Sequence, residues 1–134
     1  MTDPNRPLQY SLLAPLPDAS AGEVVQTLAA GPGFRLVRIV SHGQVSDEDF
    51  WYDQTEAEWV MVVSGCGHVA IEGESTDRVL GPGAVLILPA RCRHRVTMTS
   101  VDAPTIWLAL FMKLEGAAAA DPLPGKGPLH ETTA

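Results

Sequence analysis

Positive charge is scarce in this sequence. Nine Lys and Arg residues stand against 16 Asp and Glu residues, which gives the 134-residue chain a formal net charge of −7. Because nucleic acids and anionic membranes attract basic proteins, this excess of acidic groups disfavours both as partners. A metal cation or a small molecule suits the charge better, and we expect no nucleic-acid partner and no membrane partner.

Cysteine is also scarce, and long apolar runs are missing. Cys66 and Cys92 are too far apart for a zinc knuckle or a redox pair, and two cysteines do not make a disulfide framework. No segment has the roughly 18 consecutive apolar residues of a membrane-spanning helix. The proline-rich residues 1–18 also lack the basic and then apolar pattern of a signal peptide. These absences favour a cytoplasmic protein with reduced thiols.

Convincing helical patterns are absent too, and the sequence contains short β-prone runs instead. Gly- and Pro-rich turns such as 31–33 and 81–83 separate these runs. Such spacing is typical of an all-β sandwich or barrel. We expect an extended arm over residues 1–20, a barrel domain over 21–115 and a flexible C-terminal tail over 116–134.

Two of the runs, 59–63 and 106–111, are apolar at every position. A half-exposed strand would alternate apolar with polar residues, so both faces of these two strands are expected to be buried. One face can line the interior of the domain, and the other needs a second sheet or a second subunit to cover it. We therefore predict a homodimer.

Two motifs lie in order in the central half of the chain. The first is Trp51-Tyr52-Asp53, four residues, Glu58, six residues and Gly65, and the second is Gly83, five residues, Pro89-Ala90-Arg91, two residues and His94. They resemble the two motifs of the cupin superfamily, which are His-x-His, three or four residues, Glu, six residues, Gly, and Gly, five residues, Pro-x-Gly, two residues, His. The resemblance is to small single-domain bacterial cupins, and it implies a double-stranded β-helix, or jelly-roll barrel.

The resemblance also implies a metal site, because the motif side chains of metal-binding cupins converge on one ion inside the barrel. Carried over by position, the ligands are Asp53, Glu58 and His94, while Trp51 replaces a histidine and cannot bind a metal. Two carboxylates and one imidazole suit Zn²⁺, Mn²⁺ or Fe²⁺ and leave coordination positions open. The alternative is a metal-free barrel in which His94 contacts a buried carboxylate.

Other side chains near the motifs allow two interpretations each. Trp51 either fills the core or forms an aromatic wall against a bound ligand. Arg93 and its neighbours Arg91 and Arg95 either form a solvated, ion-paired edge or bind an anionic ligand such as a carboxylate or phosphate. His42 is either a surface turn residue or a further metal ligand.

The predicted function is binding of a divalent metal and a small polar, optionally anionic, molecule inside the barrel. If the protein is an enzyme, Asp53 and His94 are the expected catalytic residues, with Trp51 and Arg93 contacting the ligand. Two alternatives remain, because fold does not determine reaction. One is a metal-free binding or sensing module, and the other is a metal-free sugar epimerase- or isomerase-like enzyme that uses His94 as base.

Overall fold

The structure is a computed structural model that describes residues 3–113. The predicted C-terminal tail, 116–134, lies outside the described residues. Within 3–113 the chain forms no helix of the length and apolarity that crossing a bilayer requires. It forms eight strands: β1 (Val24–Gly31), β2 (Phe34–Ser41), β3 (Ala57–Ser64), β4 (Gly67–Ile71), β5 (Arg78–Leu80), β6 (Val85–Leu88), β7 (His94–Thr99) and β8 (Thr105–Met112).

The strands form two antiparallel sheets. A five-stranded sheet has the order β1-β2-β8-β3-β6, and a three-stranded sheet has the order β5-β4-β7. Buried side chains from both sheets, among them Val37, Val62, Val69 and Trp107, join in a single core. The predicted all-β jelly-roll fold is confirmed, and the eight strands all lie within the range expected for the barrel.

The doubly apolar runs are explained by the two faces of the five-stranded sheet. Val60 and Val62 of β3 point inward and are buried. On the outer face Leu36, Leu110, Trp59 and Ile87 are paired side by side across β2, β8, β3 and β6. These outer residues are only partly buried, so the apolar outer face is available to a partner. The homodimer remains a prediction.

Gly65, the glycine that ends the first motif, makes a turn that no other residue can make without displacing its neighbours. Its φ is +89°, in the left-handed region that favours glycine. A Cβ atom here would lie 2.6 Å from Oγ1 and 2.7 Å from Cα of Thr105. The turn brings β3 and β4 together at the start of β8, which fixes the geometry of the barrel interior.

Residues 3–23 contain no strand, and contacts with β2 and the segment that follows it hold this arm on the barrel. Arg38 Nη1 donates a hydrogen bond to the carbonyl oxygen of Leu12 at 3.0 Å. Gln44 Nε2 donates to the carbonyl oxygen of Ala19 at 2.7 Å. The arm therefore reaches β1 in a defined position, which places Glu23 at the opening of the barrel.

Candidate functional site

A cavity of about 220 Å³ lies inside the barrel, between the two sheets. Most of its wall is apolar, with the rings of Trp107 and Phe111 and several Val, Leu and Ile side chains. Small-molecule sites in proteins commonly combine such an apolar wall with a few placed polar groups. The polar groups here are Glu23, Arg35, Tyr52, Gln54, Glu58 and His94.

Glu58 and His94 form the most buried polar pair of this cavity. Glu58 lies on β3 and His94 begins β7, so the two sheets each contribute one residue. Only 7% of Glu58 and 6% of His94 is exposed to solvent. Glu58 Oε1 lies 3.6 Å from His94 Nε2, which is an ion-pair distance and slightly too long for a direct hydrogen bond. Sequence analysis placed both residues in the site, and the structure brings them together.

The backbone fixes which nitrogen of His94 can exchange protons. His94 Nδ1 lies 2.9 Å from the carbonyl oxygen of Cys92. Because a carbonyl oxygen only accepts hydrogen bonds, Nδ1 carries a proton and Nε2 is left to face the cavity and Glu58. The ring of Tyr52 stacks on the imidazole at a centroid distance of 5.2 Å. A backbone bridge between Tyr52 and His94 holds the two rings in this arrangement.

The surroundings of His94 favour its protonated form. Burial lowers the pKa of His94, but the Glu58 carboxylate and the Cys92 carbonyl together outweigh this effect, so the pKa is raised above its ordinary value. Gln54 Nε2 donates a hydrogen bond to Glu58 Oε1 at 3.0 Å. Oε1 of Glu58 therefore faces both the Gln54 amide and the His94 ring, and Oε2 has no hydrogen-bond partner among residues 3–113.

Glu23 is a second acid of the cavity, and sequence analysis did not identify it. The hydroxyl of Ser41 donates to Glu23 Oε2 at 3.3 Å, and Trp107 Nε1 donates to the same hydroxyl at 3.2 Å. Burial of the carboxyl group raises the pKa of Glu23, and the Ser41 hydrogen bond opposes this effect. Burial and the charges of Glu23 and Glu58 also raise the pKa of Tyr52.

The structure does not bring Trp51 and Asp53 to the cavity. Trp51 packs outside it, with the Arg95 guanidinium 5.5 Å from the centroid of its indole ring. Asp53 forms a two-point ion pair with Arg91, at 2.9 Å to Nε and 3.1 Å to Nη2. The inward orientation expected for Trp51 and Asp53 is corrected here, because their neighbours Tyr52 and Gln54 take it instead.

The physical reason is a one-residue shift of the first motif. The family motif allows three or four residues before its glutamate, and our alignment to Trp51 and Asp53 used four. With three, the two histidine positions fall on Tyr52 and Gln54, and Glu58 and Gly65 keep their places. Since side chains of an extended segment alternate between its two faces, a shift by one residue exchanges the inward and outward sets.

Arg91 stabilises this orientation of the segment. It stands where the second motif has glycine, and its φ of +65° lies in the left-handed region, at a cost of about 1–2 kcal/mol for a residue with a Cβ atom. Its backbone N–H donates to the carbonyl oxygen of Gln54 at 2.7 Å, while its guanidinium holds Asp53. Arg91 thus contacts both residues whose faces decide the site.

The cation of the cavity is Arg35, and the flanking arginines of His94 lie elsewhere. Arg93 pairs with Glu72 at 3.2 Å, and Arg95 Nη1 donates to the carbonyl oxygen of Asp47. His42, the optional metal ligand, contacts the carbonyl oxygen of Val101. None of the three lines the cavity. The sequence did contain an indication that Arg35 faces the cavity. It alternates with Val37 and Ile39, whose side chains lie on the same face of β2.

The donor set does not fit a tightly held divalent cation. Catalytic zinc sites use three protein ligands and structural sites use four. Residues 3–113 hold no group of three or more His, Cys, Asp or Glu side chains that could bind a metal ion. Glu58 and His94 supply two donors, and an N–H of Gln54 points at one of the Glu58 oxygens. Tyr52 and Gln54 occupy the positions where metal-binding relatives place histidines.

Comparison with known proteins identifies the family. The sequence model described as "Cupin domain" matches residues 36–111, which run from β2 to β8. The chain belongs to the cupin family. No curated protein matches this cupin.

Solved structures support the assignment. A protein of Ralstonia eutropha JMP134, provisionally named mannose-6-phosphate isomerase, is 42% identical to this cupin, with a TM-score of 0.78 over 81% of this chain and 100% of the other. KdgF of Halomonas sp. is 23% identical, with a TM-score of 0.59 over 74% and 87% of the two chains. An RmlC-like cupin of Shewanella frigidimarina NCIMB 400 is 18% identical, with a TM-score of 0.60 over 81% and 91%. The last two show a shared fold.

Proposed function

We propose that this cupin binds a small hydroxylated carbonyl compound in its barrel and moves a proton on it, as a sugar isomerase does, with Glu58 and His94 as the acid–base pair. The observation that carries the proposal is the buried contact of 3.6 Å between Glu58 Oε1 and His94 Nε2 at the cavity wall. The cavity volume of about 220 Å³ is below the roughly 300–1,000 Å³ of sites for drug-sized ligands. A ligand of few carbon atoms suits this volume.

The two groups would divide the chemistry between them. The Glu58 carboxylate takes a proton from the carbon beside the carbonyl group and returns it to the neighbouring carbon. The protonated Nε2 of His94 donates a proton to the carbonyl oxygen and takes one back from the adjacent hydroxyl. Both side chains end in their starting forms, so no further reactant is needed.

The protonation state of the site supports this division of roles. The raised pKa of His94 favours a proton on Nε2, and the imidazolium form can polarise a carbonyl oxygen. Positive charge at this atom does for the carbonyl what a metal ion does in other enzymes, so the steps proposed here use protein side chains alone. Glu58 and His94 are themselves buried, and the lower effective dielectric around buried groups strengthens both interactions.

The relative that is 42% identical supports the substrate class. Its provisional name is mannose-6-phosphate isomerase, and one route from an aldose to a ketose is proton transfer between neighbouring carbons by a pair of acid–base groups. The proposal is thus close to the metal-free isomerase that the sequence left as an alternative, except that Glu58 takes the role of base that was expected of His94.

The test is proton exchange in heavy water. Purified protein is incubated with mannose 6-phosphate in D₂O, and ¹H NMR follows deuterium incorporation beside the carbonyl group and formation of the ketose. We expect exchange that falls about 10²–10⁴-fold in Glu58→Gln and His94→Gln. Arg93→Gln, a surface variant outside the cavity, is the matched control and should retain the activity. Equal rates in wild type and Glu58→Gln would contradict the proposal.

A further inference from the structure

We propose that Arg35 is the anion-binding residue of the cavity, so that the ligand of this cupin carries a phosphate or a carboxylate at the end opposite its reacting carbonyl group. The inference rests on the proposed function for the reacting end of the ligand. The part of the inference that concerns anion binding depends on the position, contacts and free donors of Arg35, a residue outside both cupin motifs.

The sheet register places Arg35 in line with the acid–base pair. Arg35 of β2 is paired with Phe111 of β8, and Phe111 is paired in turn with Glu58 of β3. Paired residues lie on the same face of a sheet, and neighbouring strands are about 4.8 Å apart. The Cα atoms of Arg35 and Glu58 are therefore separated by roughly 10 Å across the ring of Phe111.

The guanidinium of Arg35 packs on the ring of Phe111 and keeps donors that are free of the described residues. Its Cζ lies 3.9 Å from the centroid of the Phe111 ring, an arrangement in which the ring attracts the cation. Among the described residues, the guanidinium makes a single hydrogen bond, from Nη2 to Glu56 Oε1 at 3.3 Å. An arginine has five N–H donors in a planar fork that matches carboxylate and phosphate oxygens, and most of those of Arg35 face no acceptor within residues 3–113.

Charge is separated along the cavity in a way that orients such a ligand. Glu23 follows the opposite end of β2, because its neighbour Val24 pairs with Val40, and Arg35 lies near the start of that strand. The distance along the strand is about 20 Å for six residues. An anionic group is thus attracted to the Arg35 end and repelled from the Glu23 end, and Glu58 lies in the same row of the sheet as Arg35.

A binding experiment separates the charge from the sugar. Calorimetric titration would compare mannose 6-phosphate, the carboxylate-bearing glucuronate and uncharged mannose. We expect the anionic sugars to bind more tightly than mannose. Arg35→Gln should weaken the preferred anionic sugar about 10- to 100-fold, the effect of losing a charge-assisted hydrogen-bond pair, and leave mannose unchanged. The stronger of the two anionic sugars identifies the group that Arg35 takes.

Two further variants make the test specific. Arg93→Gln removes a cation that pairs with Glu72 outside the cavity, and it should bind all three sugars like wild type. Glu56→Gln removes the carboxylate that competes for Arg35, so the anionic sugars should bind more tightly. This gain of affinity would not come from a damaged fold. Circular dichroism and thermal unfolding verify that Arg35→Gln is folded.

Results that overturn the inference are distinct from failure of the proposed function. If the anionic sugars bind Arg35→Gln as tightly as wild type, or if none of them binds better than mannose, Arg35 is not the anion-binding residue. If they bind through Arg35 but exchange no deuterium, the anion site stands and the proton-transfer function fails. Exchange with mannose as fast as with mannose 6-phosphate would uphold the function and contradict the anion site.

Discussion

Replacing Glu58 with glutamine removes the negative charge beside His94 and keeps the size and shape of the side chain. At the observed 3.6 Å, two unit charges attract each other by about 1 kcal/mol in water and about 5 kcal/mol at an effective dielectric constant of 20. Because Glu58 and His94 are buried, we expect the attraction that the substitution removes to be closer to the larger of these two energies. With this attraction gone, burial dominates and the pKa of His94 should fall below its wild-type value.

The measurement is an NMR pH titration of the histidine ring protons, in which the His94→Gln spectrum assigns the signal. Glu56→Gln is the matched control, since it removes a nearby carboxylate that pairs with Arg35 and does not contact His94. Its His94 should titrate almost as in wild type. An unchanged or higher His94 pKa in Glu58→Gln would refute the electrostatic reasoning, and with it the protonated Nε2 that the proposed chemistry needs.

The same pair makes a signed prediction for stability against pH. The folded-state pKa of His94 is raised above the unfolded value of 6.5, so the folded protein binds this proton more tightly. Its contribution to the free energy of unfolding is full below pH 6.5 and is lost as the pH rises through the folded-state pKa. Urea unfolding across that range should show this loss in wild type, and the slope should flatten or reverse in Glu58→Gln.

Three further predictions concern the turn, the metal and the assembly. Gly65→Ala should lower the free energy of unfolding by about 2–5 kcal/mol, because of the positive φ and the clash with Thr105. Gly83→Ala, with a φ of +85° and open space around it, should lower it by only about 1–2 kcal/mol. Equal losses of stability in urea unfolding would contradict the close approach of Gly65 to Thr105. Protein dialysed against Mn²⁺, Fe²⁺ and Zn²⁺ and then buffer should hold less than one equivalent by mass spectrometry, and a full equivalent that disappears in Glu58→Gln would show that the donor set binds metal after all. Light scattering should give about twice the chain mass of 14.3 kDa for wild type and a smaller mass for Trp59→Glu on the outer face, and a monomeric wild type would rule the homodimer out.

The fold could be predicted from the sequence because the strongest sequence patterns that indicate it are local. The doubly apolar runs of β3 and β8 and the glycines between strands each predict a feature of the barrel without knowledge of the rest. One strand, β7, gave no such signal. Its residues, His94–Thr99, are mostly polar, and they become a strand because β4 pairs with them along most of their length. Tertiary pairing decided that element.

Only part of the site could be predicted from the sequence. The sequence leaves open which alternate residues of segment 51–54 face the cavity. Glu58 lies on β3, where pairing with β6 and β8 fixes the face, and His94 follows from the second motif, whose spacing has no alternative. The segment 51–54 has a single bridge, at Tyr52, and so no run of pairs sets its register. The family motif tolerates both spacings there. The observed spacing is held by the Tyr52–His94 bridge and by Arg91, whose left-handed backbone and ion pair with Asp53 come from a loop after β6.

This one-residue difference changes the chemistry available to the barrel. Had Asp53 turned inward, two carboxylates would face one imidazole, and the repulsion between them would favour a cation that ties all three together. With Asp53 paired outside by Arg91, His94 contacts a single acid, Glu58, and the charges of the imidazolium and this carboxylate offset each other. In such a pair the carboxylate can take a proton from a ligand while the imidazolium gives one. Arg91, which touches no wall of the cavity, thereby favours the proposed proton transfer over metal binding at a site it does not reach.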